Sequence, residues 1–228
     1  MPTLVLIRHG QSAWNLENRF TGWWDVDVTA QGAAEARAAG ELMVAKGLDF
    51  DRTFTSLQTR AIKTLNLALE AMGRLWLPTE KHWRLNERHY GALTGLDKAE
   101  TAALHGDEQV RVWRRSFDVP PPAQEAGSAF DLSGDRRYAG IPVPAAESLK
   151  DTIARVLPYW EERIAPALKA GERVLISAHG NSLRALVKHL SAIPDHAITA
   201  LEIPTGQPII YELDDQLNAT DRYYLSER

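Results

Sequence analysis

The feature that most constrains the fold of this chain is a strand-to-helix junction that occurs twice. Leu4 to Arg8 is a short apolar run that ends in His9-Gly10, and Arg173 to Ala178 is a second such run that ends in His179-Gly180. Each run is followed by a stretch that is compatible with a helix. A strand, a glycine turn and a helix start place side chains at the carboxyl end of a sheet, where open α/β sheets bind ligands. We therefore expect both histidines at one ligand-binding edge of a sheet.

The rest of the chain predicts helices and strands that alternate. Helix-forming stretches cover about residues 29–46, 57–72 and 147–170, the last bent or interrupted near Pro158 and Pro166. Strand-like runs cover about residues 51–56, 208–213 and 222–225. Alternation of this kind favours a parallel sheet that is covered on both faces. The predicted fold class is α/β, with a mostly parallel sheet and helices on both faces.

One long segment does not fit this alternation. Val119 to Pro144 contains five prolines and three glycines, residues that interrupt regular structure. A loop of this length in a compact domain is usually functional or disordered, so we expect a mobile loop at about residues 119–144. No linker with a change of composition on both sides divides the chain, and 228 residues suit one α/β domain. We therefore predict a single catalytic domain over residues 1–228.

The composition excludes several classes of protein. The chain has no cysteine, which excludes a disulfide scaffold, thiol catalysis and thiolate metal sites, and which fits a reducing cytoplasm. No apolar run approaches the roughly 20 residues that a membrane-spanning helix needs. Met1 to Thr3 leads into the first strand without a basic targeting segment. We expect a cytoplasmic protein with no membrane contact.

The charged residues point to small anions rather than to nucleic acid. The chain has 26 Lys and Arg against 30 Asp and Glu, a net charge of −4, so we expect no nucleic-acid partner. Of the basic residues, 19 are arginine and 7 are lysine. Arginine suits bidentate binding of phosphate and carboxylate, although codon usage in a GC-rich genome gives the same excess. The positions of the arginines have to decide between these explanations.

The two junction histidines suit covalent phosphoryl transfer. Gly10 allows a ligand to approach the backbone, and the amide groups of the following turn can bind an anion. A neutral nitrogen of His9 is a competent nucleophile toward phosphorus, and His179 would donate hydrogen bonds to the transferring phosphoryl oxygens. A metal site is the alternative, but the sequence has no HExxH pattern, no cysteine and no acidic partner beside either histidine. We therefore predict no metal site.

Five segments carry a resemblance to a known family. Leu6 to Gly10 resembles the signature of the histidine phosphatase superfamily. Trp14 to Trp23, Leu85 to Gly91 and Ala178 to Arg184 resemble, more narrowly, its 2,3-bisphosphoglycerate-dependent phosphoglycerate mutases, and the Trp113-Arg114-Arg115 segment is similar to theirs as well. The resemblance spans nearly the whole chain and implies a phosphoglycerate mutase-like fold.

The resemblance also implies roles for individual residues. His9 would be the phosphorylated histidine, and Glu87 would be the proton donor and acceptor. Arg8, Arg60 and His179 would hold the transferred phosphoryl group. The other substrate contacts would come from Asn15, Thr21, Gly22, Arg88, Tyr90, Lys98, Arg114, Arg115, Gly180 and Asn181. A bisphosphoglycerate carries roughly −5, with about two charges per phosphate and one on the carboxylate. The arginines and the lysine of this set would balance that charge.

The implied activity is the interconversion of 3-phosphoglycerate and 2-phosphoglycerate in glycolysis and gluconeogenesis. It would proceed through phospho-His9 and a 2,3-bisphosphoglycerate intermediate, with 2,3-bisphosphoglycerate also the primer and with no metal. A raised pKa of Glu87 would help proton transfer, although nearby arginines oppose it. We expect a homo-oligomer, a dimer or a tetramer. Two alternatives stay open: a phosphomonoesterase of the same superfamily, in which water discharges the phosphohistidine, and a non-catalytic module that binds phosphorylated ligands.

Overall fold

The computed structural model describes residues 3–228. Its strands are β1 (Thr3–Arg8), β2 (Arg52–Thr55), β3 (Thr79–Lys81), β4 (Val174–Ala178), β5 (Ile209–Leu213) and β6 (Ala219–Tyr224). Its helices are α1 (Ala13–Leu16), α2 (Ala30–Ala45), α3 (Thr59–Ala71), α4 (Lys98–His105), α5 (Asp107–Arg115), α6 (Leu149–Tyr159), α7 (Ala165–Lys169), α8 (Gly180–Leu190) and α9 (Asp195–Ile198). Single 3₁₀ turns lie at Trp83–Leu85, Gly91–Leu93, Arg136–Tyr138 and Leu225–Glu227.

All six strands join one sheet in the order β3-β2-β4-β1-β5-β6. The first four of these are parallel to one another, whereas β5 pairs antiparallel with both β1 and β6. The sheet is therefore mostly parallel, and the prediction of an α/β fold is confirmed.

Helices cover both faces of the sheet, and β1 illustrates why. Its side chains alternate: Leu4 and Leu6 pack with residues of α6, α7 and α8, whereas Val5 and Ile7 pack with residues of α2 and α3. Because successive strand residues point to opposite faces, an uninterrupted apolar strand needs a cover on each side. None of these helices within residues 3–228 has the length and apolar character needed to cross a membrane.

The predicted interruption of the 147–170 helix is confirmed. Ser148 caps α6 and accepts a hydrogen bond from the Asp151 amide. A π-helical segment, Trp160–Ile164, then separates α6 from α7. This segment lies between Pro158 and Pro166, and the missing amide of Pro166 removes a helical hydrogen bond at the point where α7 begins.

Some elements differ from the sequence-based expectation. β6 begins at Ala219 rather than near 222, because pairing with β5 extends the strand over Thr220 and Asp221, whose polar side chains give no apolar strand signal. β3 was not predicted, since its three residues are polar and mostly exposed and carry no apolar pattern. The helices α4 and α5 were not predicted either, and they are separated by Gly106, which has a positive φ of 86°.

The 119–144 segment is irregular, as predicted, apart from the 3₁₀ turn at Arg136–Tyr138. It is also packed against the body of the protein. Leu132 and Tyr138 are buried beside Trp23, and the Asn86 side chain donates a hydrogen bond to the Tyr138 hydroxyl over 3.1 Å. The mobility of this loop stays a prediction.

Candidate active site

The two strand-to-helix junctions lie side by side, as the sequence predicts. β1 and β4 are parallel and in register, with Arg8 opposite Ala178, and the His9 amide donates to the Ala178 carbonyl over 3.0 Å. The chain therefore leaves both strands at the same level. As a result, the rings of His9 and His179 have centroids 5.0 Å apart, and both histidines are buried.

The turn after β1 fixes one nitrogen of His9 and leaves the other free. His9 Nδ1 lies 2.8 Å from the Gly10 carbonyl oxygen, and only a protonated nitrogen can donate to that acceptor. The Nε2 atom therefore carries the lone pair. Burial, followed by the charges of Arg60 and Arg8, holds the pKa of His9 well below its usual range. His9 is thus a neutral nucleophile at neutral pH.

The Gly10 turn is held by contacts that require glycine. Its amide donates to the Thr64 hydroxyl over 2.9 Å, and that hydroxyl donates to the Arg60 carbonyl over 2.7 Å. A Cβ atom at Gly10 would lie 2.1 Å from the backbone oxygen of Gly32 in α2. A larger residue would therefore move the turn that orients His9.

His179 is oriented by Ser56, a residue that the sequence analysis missed. Ser56 Oγ lies 2.8 Å from His179 Nε2 and accepts a hydrogen bond from the Gln58 amide over 3.1 Å. The hydroxyl hydrogen of Ser56 can donate to His179 Nε2. In that case the proton of the neutral His179 ring lies on Nδ1. This Nδ1 is buried and has no partner among the described residues. Burial, with the charges of Arg60, His9 and Arg8, lowers the pKa of His179 well below its usual range.

Two arginines lie near the histidines and are fixed by backbone carbonyls: Arg60 is buried, and Arg8 is half-buried. Arg60 donates to the carbonyls of Gly22 and Trp24 over 2.8 and 3.0 Å, and Arg8 donates to the Ile203 carbonyl over 2.7 Å. Burial lowers the pKa of Arg60 to about 10, so it remains charged at neutral pH. Arg8 Nε is buried without a partner among the described residues. Such an unpaired donor beside His9 suits an anion in the cleft.

Glu87 presents one carboxylate oxygen to the cleft and anchors the other. Its Oε1 accepts hydrogen bonds from the Arg88 amide and from the amide and side chain of Asn181, over 2.7, 3.1 and 2.9 Å. Burial favours the neutral form, but these bonds and the charges of Arg8 and Arg60 outweigh it and lower the pKa of Glu87. The pKa of Glu87 is thus shifted away from the raised value that would help proton transfer, in the direction in which nearby arginines act. Glu87 is ionised and ready to act as a base.

The Gln58 side chain connects the backbone of Glu87 to that of Gly22 by two hydrogen bonds. Its side chain is fully buried, and both ends of the amide are used. The Gln58 oxygen accepts from the Glu87 amide over 2.8 Å, and the nitrogen donates to the Gly22 carbonyl over 2.7 Å. A single glutamine after a strand carries no recognisable pattern, so sequence reasoning missed it.

The structure brings most of the predicted residues to one cleft. Thirteen of the fifteen line it: Arg8, His9, Asn15, Thr21, Gly22, Arg60, Glu87, Tyr90, Lys98, Arg114, Arg115, Gly180 and Asn181. His179 is not among the residues that line the cleft, but its ring is 5.0 Å from that of His9. Arg88 is fully buried, and its Nη2 donates to the carbonyls of Trp113 and Arg114 over 3.1 and 3.0 Å, whereas its Nε and Nη1 have no partner among the described residues. It supports the carboxyl end of α5 and does not line the cleft. The roles of these residues toward substrate stay predictions.

Four further residues line the cleft: Arg19, Phe20, Arg184 and Glu202. Arg19, Phe20 and Arg184 lie within the segments that carried the family resemblance, so a closer reading of those segments could have included them. Arg184 Nη1 donates to Asn181 Oδ1 over 3.1 Å. This bond orients the Asn181 amide so that its nitrogen faces Glu87. Glu202 had no signal in the sequence.

The electrostatics of the cleft favour a small polyanion. Two carboxylates line the cleft, those of Glu87 and Glu202. Seven cationic side chains also line it: Arg8, Arg19, Arg60, Lys98, Arg114, Arg115 and Arg184. Concentrated like charge in a partly desolvated cleft is costly without an anion. Burial lowers the pKa of Lys98, with Arg114 and Arg8 adding to the effect against the opposing influence of Tyr90. The site therefore fits a ligand with several negative charges.

Comparison with known proteins agrees with this geometry. The model of the histidine phosphatase superfamily (branch 1) matches residues 4–136 and 132–225. A 2,3-bisphosphoglycerate-dependent phosphoglycerate mutase from Sphingopyxis alaskensis is 78% identical over 228 residues, 100% of both chains. Proteins of the same name from Novosphingobium aromaticivorans and Zymomonas mobilis are 77% and 71% identical over 100% of both chains.

Solved structures agree on the fold. A mycobacterial glucosyl-3-phosphoglycerate phosphatase matches with a TM-score of 0.75 and 23% identity over 98% of this chain and 97% of that one. A phosphoglycerate mutase from Bacillus anthracis matches with a TM-score of 0.69 and 23% identity over 97% and 92%. At this level of identity the structures support the fold alone, which is mutase-like.

Proposed function

The chain belongs to the histidine phosphatase superfamily, and from this premise we propose that it interconverts 3-phosphoglycerate and 2-phosphoglycerate as a 2,3-bisphosphoglycerate-dependent mutase. The full-length relatives at 71–78% identity all bear that name. They favour the mutase over the phosphomonoesterase alternative. One observation in the structure carries the proposal: His9 and the ionised Glu87 lie in one cleft with seven cationic side chains.

His9 Nε2 is the atom that carries the phosphoryl group. In the forward half-reaction, the N–P bond of phospho-His9 breaks while an O–P bond forms to the free hydroxyl of a monophosphoglycerate. Glu87 Oε2 takes the hydroxyl proton. In the return half-reaction, Nε2 attacks the other phosphoryl group, and Glu87 returns the proton to the departing oxygen. Splitting the isomerisation in this way replaces one difficult transfer with two easier ones.

The neighbours of His9 stabilise the phosphoryl group during transfer. Arg8, Arg60 and the Nδ1–H of His179 supply positive charge and donors that are already fixed by the protein. Preorganised donors cost little reorganisation when charge develops on the phosphoryl oxygens. Asn15, Tyr90, Lys98 and the α5 arginines hold the rest of the substrate.

We infer that 2,3-bisphosphoglycerate is the primer, since the cycle needs a phosphohistidine at its start. The unpaired Arg8 Nε, the unpaired His179 Nδ1 and the excess of cations fit such a ligand. We also expect that no metal is required, because arginine and histidine take the place of a metal clamp. The described residues hold no group of three or more His, Cys, Asp or Glu that would bind a metal ion.

We further propose that residues 1–228 act as one catalytic domain in the cytoplasm and assemble as a homo-oligomer. Strands from both ends of the chain join a single sheet, which supports one domain. The edge strand β3 is preceded by Leu75 and Trp76, whose exposed fractions are 57% and 72%. An unpaired sheet edge beside exposed apolar side chains suits a second copy of the chain. Light scattering during gel filtration would measure the number of copies.

The decisive experiment follows isomerisation with enolase as the coupling enzyme, in EDTA, while 2,3-bisphosphoglycerate is varied. We expect conversion of 3-phosphoglycerate that depends on the primer and is unchanged by EDTA. Hydrolysis of 2-phosphoglycerate at a rate above isomerisation, with no effect of the primer, would support the phosphomonoesterase. Absence of any phosphoenzyme after exposure to labelled bisphosphate would support the non-catalytic alternative.

A further inference from the structure

Glu202 is an anion at the mouth of a cleft that otherwise collects cations. Its carboxylate pairs with the Arg115 guanidinium and lies 3.4 Å from Arg184 Nη2. Both arginines line the cleft that holds His9. The other carboxylate of the cleft, Glu87, is buried and transfers the proton in the proposed reaction. Glu202, in contrast, contacts none of the reacting groups.

The protein holds Glu202 in place from both sides. Arg184 Nε donates to the Leu201 carbonyl over 2.7 Å, and Arg8 Nη1 donates to the Ile203 carbonyl over 2.7 Å. The backbone on each side of Glu202 is thus tied to cleft arginines. Because of this anchoring, its carboxylate stays at the mouth of the cleft although it is itself exposed.

The ion pairs of Glu202 are easy to exchange for another anion. The Glu202 side chain has an exposed fraction of 63%, and that of Arg115 is 33%. Exposed ion pairs contribute little, since water competes for both charges. Arg184 is different, because it is buried and keeps its bonds to Leu201 and Asn181 when the carboxylate leaves. Both guanidiniums would then be available to a new anion.

We propose that Glu202 is a built-in counter-anion, which the substrate displaces from Arg115 and Arg184 with the anionic group that is not being transferred. This inference rests on the proposed function for the identity of the substrate. Glu202 neutralises the two arginines in the unliganded enzyme and weakens the binding of substrate by competition. It is therefore a specificity-determining residue, because a ligand with one anionic group gains nothing from displacing it.

The test compares Glu202→Gln with the wild type by calorimetric titration of the unphosphorylated enzyme. The probes are 3-phosphoglycerate, which has a second anionic group, and orthophosphate, which has none. We expect the variant to bind 3-phosphoglycerate about two- to five-fold more tightly, the range that an exposed ion pair supports, with orthophosphate unchanged. The gain should shrink as salt is raised.

Glu41→Gln is the matched control, since Glu41 is an exposed residue of α2 and the substitution makes the same change of net charge. It should leave both titrations unchanged. Equal or weaker binding of 3-phosphoglycerate by Glu202→Gln would overturn the proposal and make Glu202 a support for Arg115. Tighter binding of orthophosphate to the same extent would also overturn it, in favour of a general field effect. A wild type without primer-dependent isomerisation would contradict the proposed function instead.

Discussion

Acid should destabilise this protein through His89, which follows Glu87 by two residues. His89 Nδ1 accepts a hydrogen bond from the Gly91 amide over 2.9 Å. The His89 amide donates to the Glu147 carboxylate, and the His89 carbonyl accepts from the Glu147 amide. Protonation of Nδ1 would replace this acceptor with a second donor facing an N–H group. Burial, with a smaller contribution from Arg155 against the opposing effect of Glu147, accordingly lowers the pKa of His89 to about 4.

The magnitude follows from this shift. The ordinary pKa is 6.5, so the unfolded chain binds the proton before the folded chain does as the pH falls. Stability is therefore lost from about pH 6.5 down to about pH 4. A pH of about 5 lies about 1.5 units below the ordinary pKa. At about 1.4 kcal/mol per pH unit, the free energy of unfolding is therefore about 2 kcal/mol lower at that pH.

Urea unfolding of the wild type and of His89→Asn at about pH 7 and pH 5 measures this contribution. The asparagine oxygen can still accept from the Gly91 amide but does not titrate. The wild type should lose about 2 kcal/mol more than the variant between the two pH values. His196→Asn, at an exposed position of α9, should behave like the wild type. If His89→Asn lost as much stability as the wild type on acidification, the reasoning would be refuted.

Three predictions concern the chemistry. His9→Ala should remove an acid-labile, alkali-stable phosphoenzyme, and label that persists in this variant would contradict transfer through His9. Glu87→Gln should lower the isomerisation rate by about 10²–10⁴-fold with ligand binding nearly normal; a matching loss of binding, measured by titration, would make Glu87 a structural anchor. Arg114→Ala or Arg115→Ala should weaken use of phosphoglycerate by about 10- to 150-fold, from about 1.5–3 kcal/mol per charge-assisted bond. It should also raise the ratio of bisphosphate hydrolysis to isomerisation; a parallel fall of both activities, with phospho-His9 still formed, would mean that these arginines do not retain the bisphosphate.

The sequence predicts the parts of the site that lie on regular elements. Two apolar strands that each end in His-Gly can be recognised because their period and their turn residues are local signals. An α/β fold with a mostly parallel sheet predicts that the two strands run in the same direction. Parallel pairing of the strands brings His9 and His179 together. The helices over about 29–46 and 57–72 were predicted from local signals as well, namely helix-forming residues and, for the first helix, the cap residue Thr29.

The residues that orient the chemical groups could not be predicted. Ser56 and Gln58 are isolated polar residues, and only the folded chain brings them against His179 and Glu87. The sequence shows the charge of Arg88 but not the direction of its side chain, which donates to the carbonyls of Trp113 and Arg114; its role toward substrate stays a prediction. Glu202 lies in irregular chain after α9, where no period indicates which residues face a cleft.

The pairing of β1 with β4 has a consequence for the synthesis of the protein. Leu4 lies opposite Val174 in the sheet, so His9 leaves the ribosome long before the strand that pairs with β1 and precedes His179. Contacts so far apart in sequence form late and slowly. A nascent chain that stops before β4 carries His9 without His179 and the β4–α8 turn, and labelled bisphosphate should not phosphorylate it. Phosphorylation of His9 would thus report that synthesis has passed β4.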